Sequence, residues 1–396
     1  MLPWEQFSVT IAPHKPFDFS NAKKMQETAM APPPFRAEHV GSLLRPKELT
    51  AAFRQHAAGK VDDRAFAYIQ DTAIREVVAQ QEAAGLGVVT DGEFRRGSYW
   101  GHVIGPVTGL SVREAEFNFH DDHGHEQNFI AAHVEGKVRR VIGFSTGEFG
   151  FLKTVAKVPA KITMPSLPTF HFYRPVGGID PAVYATPREF FRDFAEVFRQ
   201  EIAELSALGA RYIQMDEVPL AMLCDPNVRE QVRRGGADPD DLIGIYIDAI
   251  NDAVASRPAD MICGLHLCRG NFKGKYLSQG GYEPVAERLF NDLSVDAFFL
   301  EYDTARAGDF SPLRLVPEGK HVVLGLVSSK LAAMESVDDL ARRIDEAAQY
   351  VPLERLSLSP QCGFASAVSG NPITQEVQQA KLARIVETAL QVWGEV

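Results

Sequence analysis

The sequence predicts an α/β protein, a (β/α)8 TIM barrel with a hairpin-like insertion after its second strand. Three observations carry that prediction. Eight short apolar, β-leaning runs, near residues 38, 88, 163, 213, 264, 298, 324 and 357, alternate with segments of helical period. Side chains suited to chemistry recur where those runs end, on the face where such barrels work. No Gly-rich dinucleotide fingerprint opens the first βα unit, which weighs against a doubly wound open sheet.

Taken in order, residues 1–34 are expected to be a mobile N-terminal extension. Met30-Ala31-Pro32-Pro33-Pro34 reads like a second start. The first 29 residues hold no continuous apolar stretch of the kind a secretory signal needs. Residues 35–396 are then one barrel domain. Phe35–Leu44 reads as a strand ending at Gly41-Ser42, and Arg45–Gly59 as a helix. Asp62–Ala84 has apolar residues at Phe66, Ile69, Ala73 and Val77 and a stop at Gly85, so it reads as a long helix. Gly87–Thr90 is a strand ending in Asp91-Gly92-Glu93.

Residues 99–150 break the rhythm. Ala115, Phe117 and Phe119 alternate with polar residues, and Ile130–Phe144 is a second β-like run. The tip between them, His120-Asp121-Asp122-His123-Gly124-His125, could bind metal but reads as a solvated turn. Strands then follow at 161–166, 211–215, 261–268, 296–300, 321–327 and 355–358, with helices at 187–207, 238–256, 282–292, 336–350 and 374–393. Ser336 followed by Asp339 is a capping signature.

Composition excludes several functions. The chain has 396 residues and a net charge of −11, from 41 basic and 52 acidic side chains. Nucleic-acid and anionic-membrane binders want positive patches, and no apolar run is long enough to span a bilayer. Four Cys in so long a chain are no disulfide framework. A reducing, cytoplasmic setting is expected, with thiols kept for metal or chemistry.

The chemistry centres on His266-Leu267-Cys268. Residues two apart on a strand share a side, so imidazole and thiolate face the same way as the strand ends. Cys362, in the loop Ser359-Pro360-Gln361-Cys362-Gly363, adds a third soft ligand, and Glu301 at the end of its strand is a candidate fourth. Soft N and S ligands select Zn²⁺ over Mg²⁺ or Ca²⁺. Three firm ligands and one exchangeable position is how catalytic zinc is held. Such a site suits the capture of a thiol, whose pKa of about 8.5 falls on coordination. The expected reaction is S-alkylation. Glu93 and Asp216, at two other strand ends, either bind an ammonium group of the thiol substrate or hold loops through Arg95, Arg96 or Arg211.

These motifs resemble the C-terminal catalytic barrel of cobalamin-independent methionine synthase, and more closely its short single-barrel relatives in the wider uroporphyrinogen-decarboxylase-like superfamily. The resemblance runs over about 35–396. It rests on His39-Val40-Gly41-Ser42, Asp91-Gly92-Glu93-Phe94, Tyr212-Ile213-Gln214-Met215-Asp216-Glu217, His266-Leu267-Cys268, Asp296–Glu301 and Ser359–Gly363, in the family's order. It implies zinc on His266, Cys268, Glu301 and Cys362, with Glu301 displaced when the thiol arrives. It implies substrate contacts from Gly41, Ser42, Glu93, Asp216 and Glu217, and methyl transfer to homocysteine or a similar thiol, giving methionine. Two departures stand out. Lys330 takes the place of the family's proposed acid His. The loop after the third strand, Ser166–Phe172, has no Trp where the family's folate site carries one. Folate, methylcobalamin and other methyl donors therefore all stay open. So do an epoxide-type electrophile and a zinc- or thiol-binding protein without turnover. The Gly-rich segment Arg269–Gly281 reads as a lid, whose Arg269, Lys273 and Lys275 either meet an anionic group or face solvent.

Overall fold

The computed structural model describes residues 34–175 and 177–396. The expected extension over 1–34 lies, up to residue 33, outside the described residues. After helices α1 (Lys47–Ala57) and α2 (Asp63–Ala83) comes an antiparallel pair, β1 (Val107–Glu114) with β4 (Ile130–Arg140). Between them β2 (Phe119–His120) pairs with β3 (Glu126–Gln127). The first strand of the pair thus ends at Glu114. Ala115 and Phe117 lie beyond it, because the backbone there turns to Phe129 and Tyr173 and Phe117 stacks on Phe172 at 5.3 Å. Helix α3 (Thr146–Val155) follows, inside the stretch read as broken rhythm.

Six strands then form one parallel sheet: β5 (Ile162–Pro165), β6 (Tyr212–Glu217), β7 (Ile262–Leu267), β8 (Ala297–Glu301), β9 (His321–Val327) and β10 (Leu356–Pro360), each beside the next in sequence. Every residue of β5, β6, β8 and β10 is buried. A parallel sheet is covered on both faces, so even the polar side chains of these strands, such as Gln214 on β6 and Ser357 on β10, are buried. The covering helices are α4 (Pro187–Ala207), the short α5 (Pro219–Met222), α6 (Pro226–Arg234), α7 (Pro239–Val254), α8 (Glu283–Asp292), α9 (Val337–Ala347) and α10 (Gln375–Trp393). Side-chain caps mark their starts. Asp62, Thr186, Asp225, Asp238, Ser336 and Thr374 each accept from a backbone N–H in the first turn, satisfying a donor the helix leaves orphaned. Helices α5 and α6 were not anticipated; both are short and follow a Pro within their first turn.

The runs near 38 and 88 are less regular than the sequence suggests. Each makes one parallel bridge, Ala37 with Leu358 beside β10 and Val89 with Ala160 just before β5. Polar side chains there compete with the ladder. Glu38 accepts from the Phe35 N–H at 3.1 Å, and Gln81 bonds both backbone groups of Thr90. Buried side chains join these segments instead. Lys161 donates to Glu38 at 2.8 Å with both side chains fully buried, and the Tyr212 hydroxyl donates to the same carboxylate at 2.7 Å. Among the described residues no helix is long and apolar enough to cross a membrane. All four cysteines are free and buried.

Candidate metal and substrate site

Strand β7 carries Cys263, Leu265 and Leu267 into the core and ends at the two ligands predicted from sequence. Its register against β6 sets Asp216 opposite His266. Cys362 lies two residues past β10. The ligand atoms of His266, Cys268 and Cys362 all fall within 4.8 Å of one another, and all three residues are buried. The sulfurs of Cys362 and Cys268 lie 3.7 Å apart, within hydrogen-bond reach. That sulfur contact is the first cause holding Cys362 well below the ordinary thiol range and raising Cys268 well above it. Neither ring nitrogen of His266 has a hydrogen-bond partner. A buried imidazole with both nitrogens idle is unfavourable, and a soft cation held by one of them removes part of that deficit. The donor set therefore fits zinc.

Two carboxylates face the same space. Glu93 sits at φ 60°, a strained conformation for a side chain of this size, just after Gly92 at φ 67°. Asp91 stabilises the turn by accepting from the Glu93 N–H at 2.9 Å. Glu93 Oε1 accepts from the Thr163 hydroxyl at 2.8 Å and lies 3.5 Å from Arg96, while Oε2 is buried without a partner. Burial raises its pKa against the opposing pull of Arg96. Asp216 accepts from Gln214 at 2.8 Å; burial first, then the charge of Glu93, raises it to about 7. Of the three arginines weighed as loop clamps, only Arg96 approaches either acid. Arg95 pairs with Asp71 and Arg211 with Asp260. Ser42 lines the same space. Gly41 has φ 129°, and a Cβ there would meet Thr163 Cγ2 at 2.6 Å and Glu93 Oε1 at 3.7 Å. Only glycine lets this backbone approach so closely.

Other predicted residues are placed elsewhere. Glu217 turns away from the cavity: it accepts from the Ser166 hydroxyl and from the Leu220 N–H at 2.7 Å, at the start of α5. Burial raises it to about 8. Glu301 stands outside the three-ligand group. It accepts from the Arg269 N–H at 2.8 Å and lies 3.3 Å from Arg306 and 3.8 Å from Lys330. Burial would raise it, but the charges of Lys330, Arg269 and Arg306 outweigh burial and hold it at about 2. Arg269 neither meets a cavity nor faces solvent. It is fully buried and donates to Gly280 and Tyr282. Lys275 pairs with Asp121, and Tyr276 donates to Asp122 at 2.8 Å, so the tip at 120–125 docks on the segment after Cys268.

Two connected cavities open above the ligands. The inner one, about 40 Å³, is lined by Ser42, Glu93, Asp216, His266, Cys268 and Cys362 among others. The outer one, about 620 Å³, is lined in part by aromatic residues, including Trp100, Phe129 and Phe272. Tyr99, Phe119, Tyr173, Asn271 and Ser366 line both. None of these five was expected at the site; Phe119 reads only as part of the alternating run. Aromatics in loops carry no spacing signal, and only tertiary structure brings these five separate segments together.

The fold is a parallel α/β sheet whose strand ends bring together a buried His-Cys-Cys group able to hold a metal ion, flanked by two acids. Residues 185–390, more than half of the chain, match the family described as cobalamin-independent synthase, catalytic domain. The chain belongs to that methyltransferase family, among its short single-domain members. It is 39% identical over 364 residues to the uncharacterised Bacillus subtilis protein YxjH, covering 91% of this chain and 95% of that one. It is 26% identical over 363 residues to a methionine synthase of Pyrococcus abyssi, covering 90% of this chain and 94% of that one. A crystal structure from Listeria monocytogenes, described as a candidate vitamin-B12-independent methionine synthase, superposes with a TM-score of 0.72 at 31% identity, covering 92% of this chain and 100% of that one.

Proposed function

We propose that this chain is a zinc-dependent S-methyltransferase that places a methyl group on the thiol of homocysteine or a similar amino thiol. The observation that carries the reading is the buried convergence of His266, Cys268 and Cys362 beside Glu93 and Asp216. Membership of the methyltransferase family and the kinship with a methionine synthase support it. We also read the sheet as a closed (β/α)8 barrel, with the segments at Ala37 and Val89 as its first two staves and the 107–140 pair as an insertion.

His266, Cys268 and Cys362 would hold the zinc, with Glu301 joining them on release from Lys330 and Arg306. Bound there, zinc supplies a soft positive centre that favours the thiolate form of a substrate sulfur at neutral pH. The chain's own residues do the rest. Glu93 Oε2, buried and unpartnered, receives the substrate ammonium, and Asp216 offers a second carboxylate to the same group. Ser42 packs against Gly363, where a Cβ would lie 1.9 Å from Ser42 Oγ; it closes the wall around the amino acid part. The small inner cavity keeps water from the sulfur, which strengthens each of these contacts. The methyl donor enters through the outer cavity. The test is metal analysis of the purified protein together with a donor screen against homocysteine: methyl-folates, methylcobalamin, S-methylmethionine and small epoxides, with product read by mass. About one zinc per chain and a methylated thiol are expected; full activity in metal-free protein rules the reading out.

A further inference from the structure

The two acids of the inner cavity are supported differently. Asp216 is held by Gln214 of its own strand. Glu93 is held through a chain of contacts that ends outside the sheet, on helix α3. Arg96 is fully buried. Its Nε donates to the two oxygens of Glu148 at 3.1 and 2.9 Å, and its Nη2 to Glu148 Oε2 at 2.6 Å. Nη2 also donates to the Thr163 carbonyl at 2.7 Å, and Nη1 to the Thr163 hydroxyl at 2.9 Å. That hydroxyl accepts from Arg96, so its single hydrogen goes to Glu93 Oε1, at 2.8 Å. One guanidinium hydrogen is left over. It is on Nη1, 3.5 Å from Glu93 Oε1.

Helix α3 holds Glu148 firmly. Glu148 lies in its first turn and is buried. The turn is fixed from outside by Glu201 of α4, whose Oε1 accepts from the N–H groups of Phe144, Ser145 and Thr146 at 3.1, 2.6 and 3.0 Å. Among the described residues, Glu93 and Glu148 are the only carboxylates within 4 Å of the Arg96 side-chain nitrogens. A buried cation that loses one anion is left uncompensated. Without the charge of Glu148, Arg96 therefore turns to Glu93.

We propose that Glu148 is a positioning residue for the amino acid side of the substrate: by holding Arg96 it keeps that cation from closing on Glu93, and so leaves Glu93 Oε2 free for the substrate ammonium. This rests on the ammonium-binding reading above. It gives α3, which lines neither cavity, a part in choosing between thiols with and without an amine.

The test is calorimetric titration of the zinc-loaded full chain, without methyl donor, with homocysteine and with 4-mercaptobutyrate, the same thiol lacking the amine. Burial raises the Glu148 carboxyl to about 7 against the pull of Arg96, so the titrations are run at about pH 8, where it is charged. Wild type is expected to prefer homocysteine. Glu148→Gln should weaken homocysteine about tenfold or more, the scale of a lost hydrogen bond to a charged group, and leave 4-mercaptobutyrate and zinc content unchanged. Arg96→Met/Glu148→Gln removes the competing cation as well, and should bring homocysteine back to within about threefold of wild type, since a buried pair removed together leaves no stranded charge. A Glu148→Gln protein with wild-type preference, equal losses for both thiols, lost zinc, or a double variant as weak as the single overturns the proposal. If Glu148→Gln does not fold, the double variant decides: retained preference upholds the proposal and lost preference overturns it. A wild type that binds both thiols equally overturns it together with the ammonium-binding reading. Glu148-dependent preference in a chain that transfers no methyl group upholds this inference and removes the methyltransferase reading instead.

Discussion

The inner and outer cavities are built from different material. The inner one is made where strands end. His266 lies on β7, Asp216 on β6, and Cys268 and Cys362 within two residues of β7 and β10. The outer one is made largely of connections, within residues 95–102, 128–129, 271–272 and 366–367 and at Tyr173, joined by Phe119 on β2 and Ile130 at the start of β4. Strand ends are held by ladders on both sides and scarcely shift, whereas connections tolerate substitution and rearrangement. On the function proposed above, the sheet sets the geometry around the substrate sulfur and the loops set the choice of methyl donor.

The largest effect should come from breaking the inner side outright. Cys268→Ala or Cys362→Ala is expected to abolish both zinc retention and methyl transfer, as read by metal analysis and product mass, while the circular dichroism spectrum is kept. Either variant retaining wild-type rates removes that cysteine from the ligand set. Next comes the scaffold earlier along the strands. Lys161→Met leaves the Glu38 carboxylate buried without its cation, and loss of one partner of a buried pair costs about 3–5 kcal/mol. Denaturant unfolding measures it, and a change below 1 kcal/mol shows that the pair does not hold those segments together.

Glu93→Gln probes recognition without touching the metal. A hydrogen bond to a charged group is worth about 1.5–3 kcal/mol, so KM for homocysteine should rise about 10- to 100-fold, with a much smaller rise for a thiol lacking the amine. Equal rises for both thiols exclude ammonium binding. The outer side is tested at Ile130, exposed and lining only the outer cavity. Ile130→Trp is expected to raise the donor KM several-fold and leave homocysteine KM and zinc content unchanged. A shift in homocysteine KM instead shows that the two cavities do not act separately.

The smallest effect concerns Glu217, which belongs to neither cavity. Its folded pKa of about 8 exceeds the ordinary 4.5, so between those values the folded state binds more protons than the unfolded one. Stability from this group is complete below about pH 4.5 and declines as pH rises through 8. Glu217→Gln should flatten that decline in unfolding curves taken from pH 5 to 9; an unchanged slope assigns the decline to other groups.

Much of this was legible along the chain, for identifiable reasons. Short β-leaning runs alternating with helical periods mark the strands, and caps such as Asp62, Ser336 and Thr374 announce the helices that follow. The period-2 spacing of His266 and Cys268 puts both on one side of a strand whatever surrounds it. Sequence alone therefore determined the alternation of strands and long helices, the bounds of most of those helices to within a residue or two, and which three soft side chains would converge. Tertiary structure decided the rest. Glu301 was expected as a fourth metal ligand and Glu217 as a substrate contact, but the backbone N–H groups of Arg269 and Leu220 hold their carboxylates, and no local pattern records which of two adjacent acids a helix start will capture. The lining that both cavities share, Tyr99, Phe119, Tyr173, Asn271 and Ser366, likewise exists only after five separate segments meet. Distances between residues far apart in sequence are set by how the sheet curves and packs, which spacing does not encode.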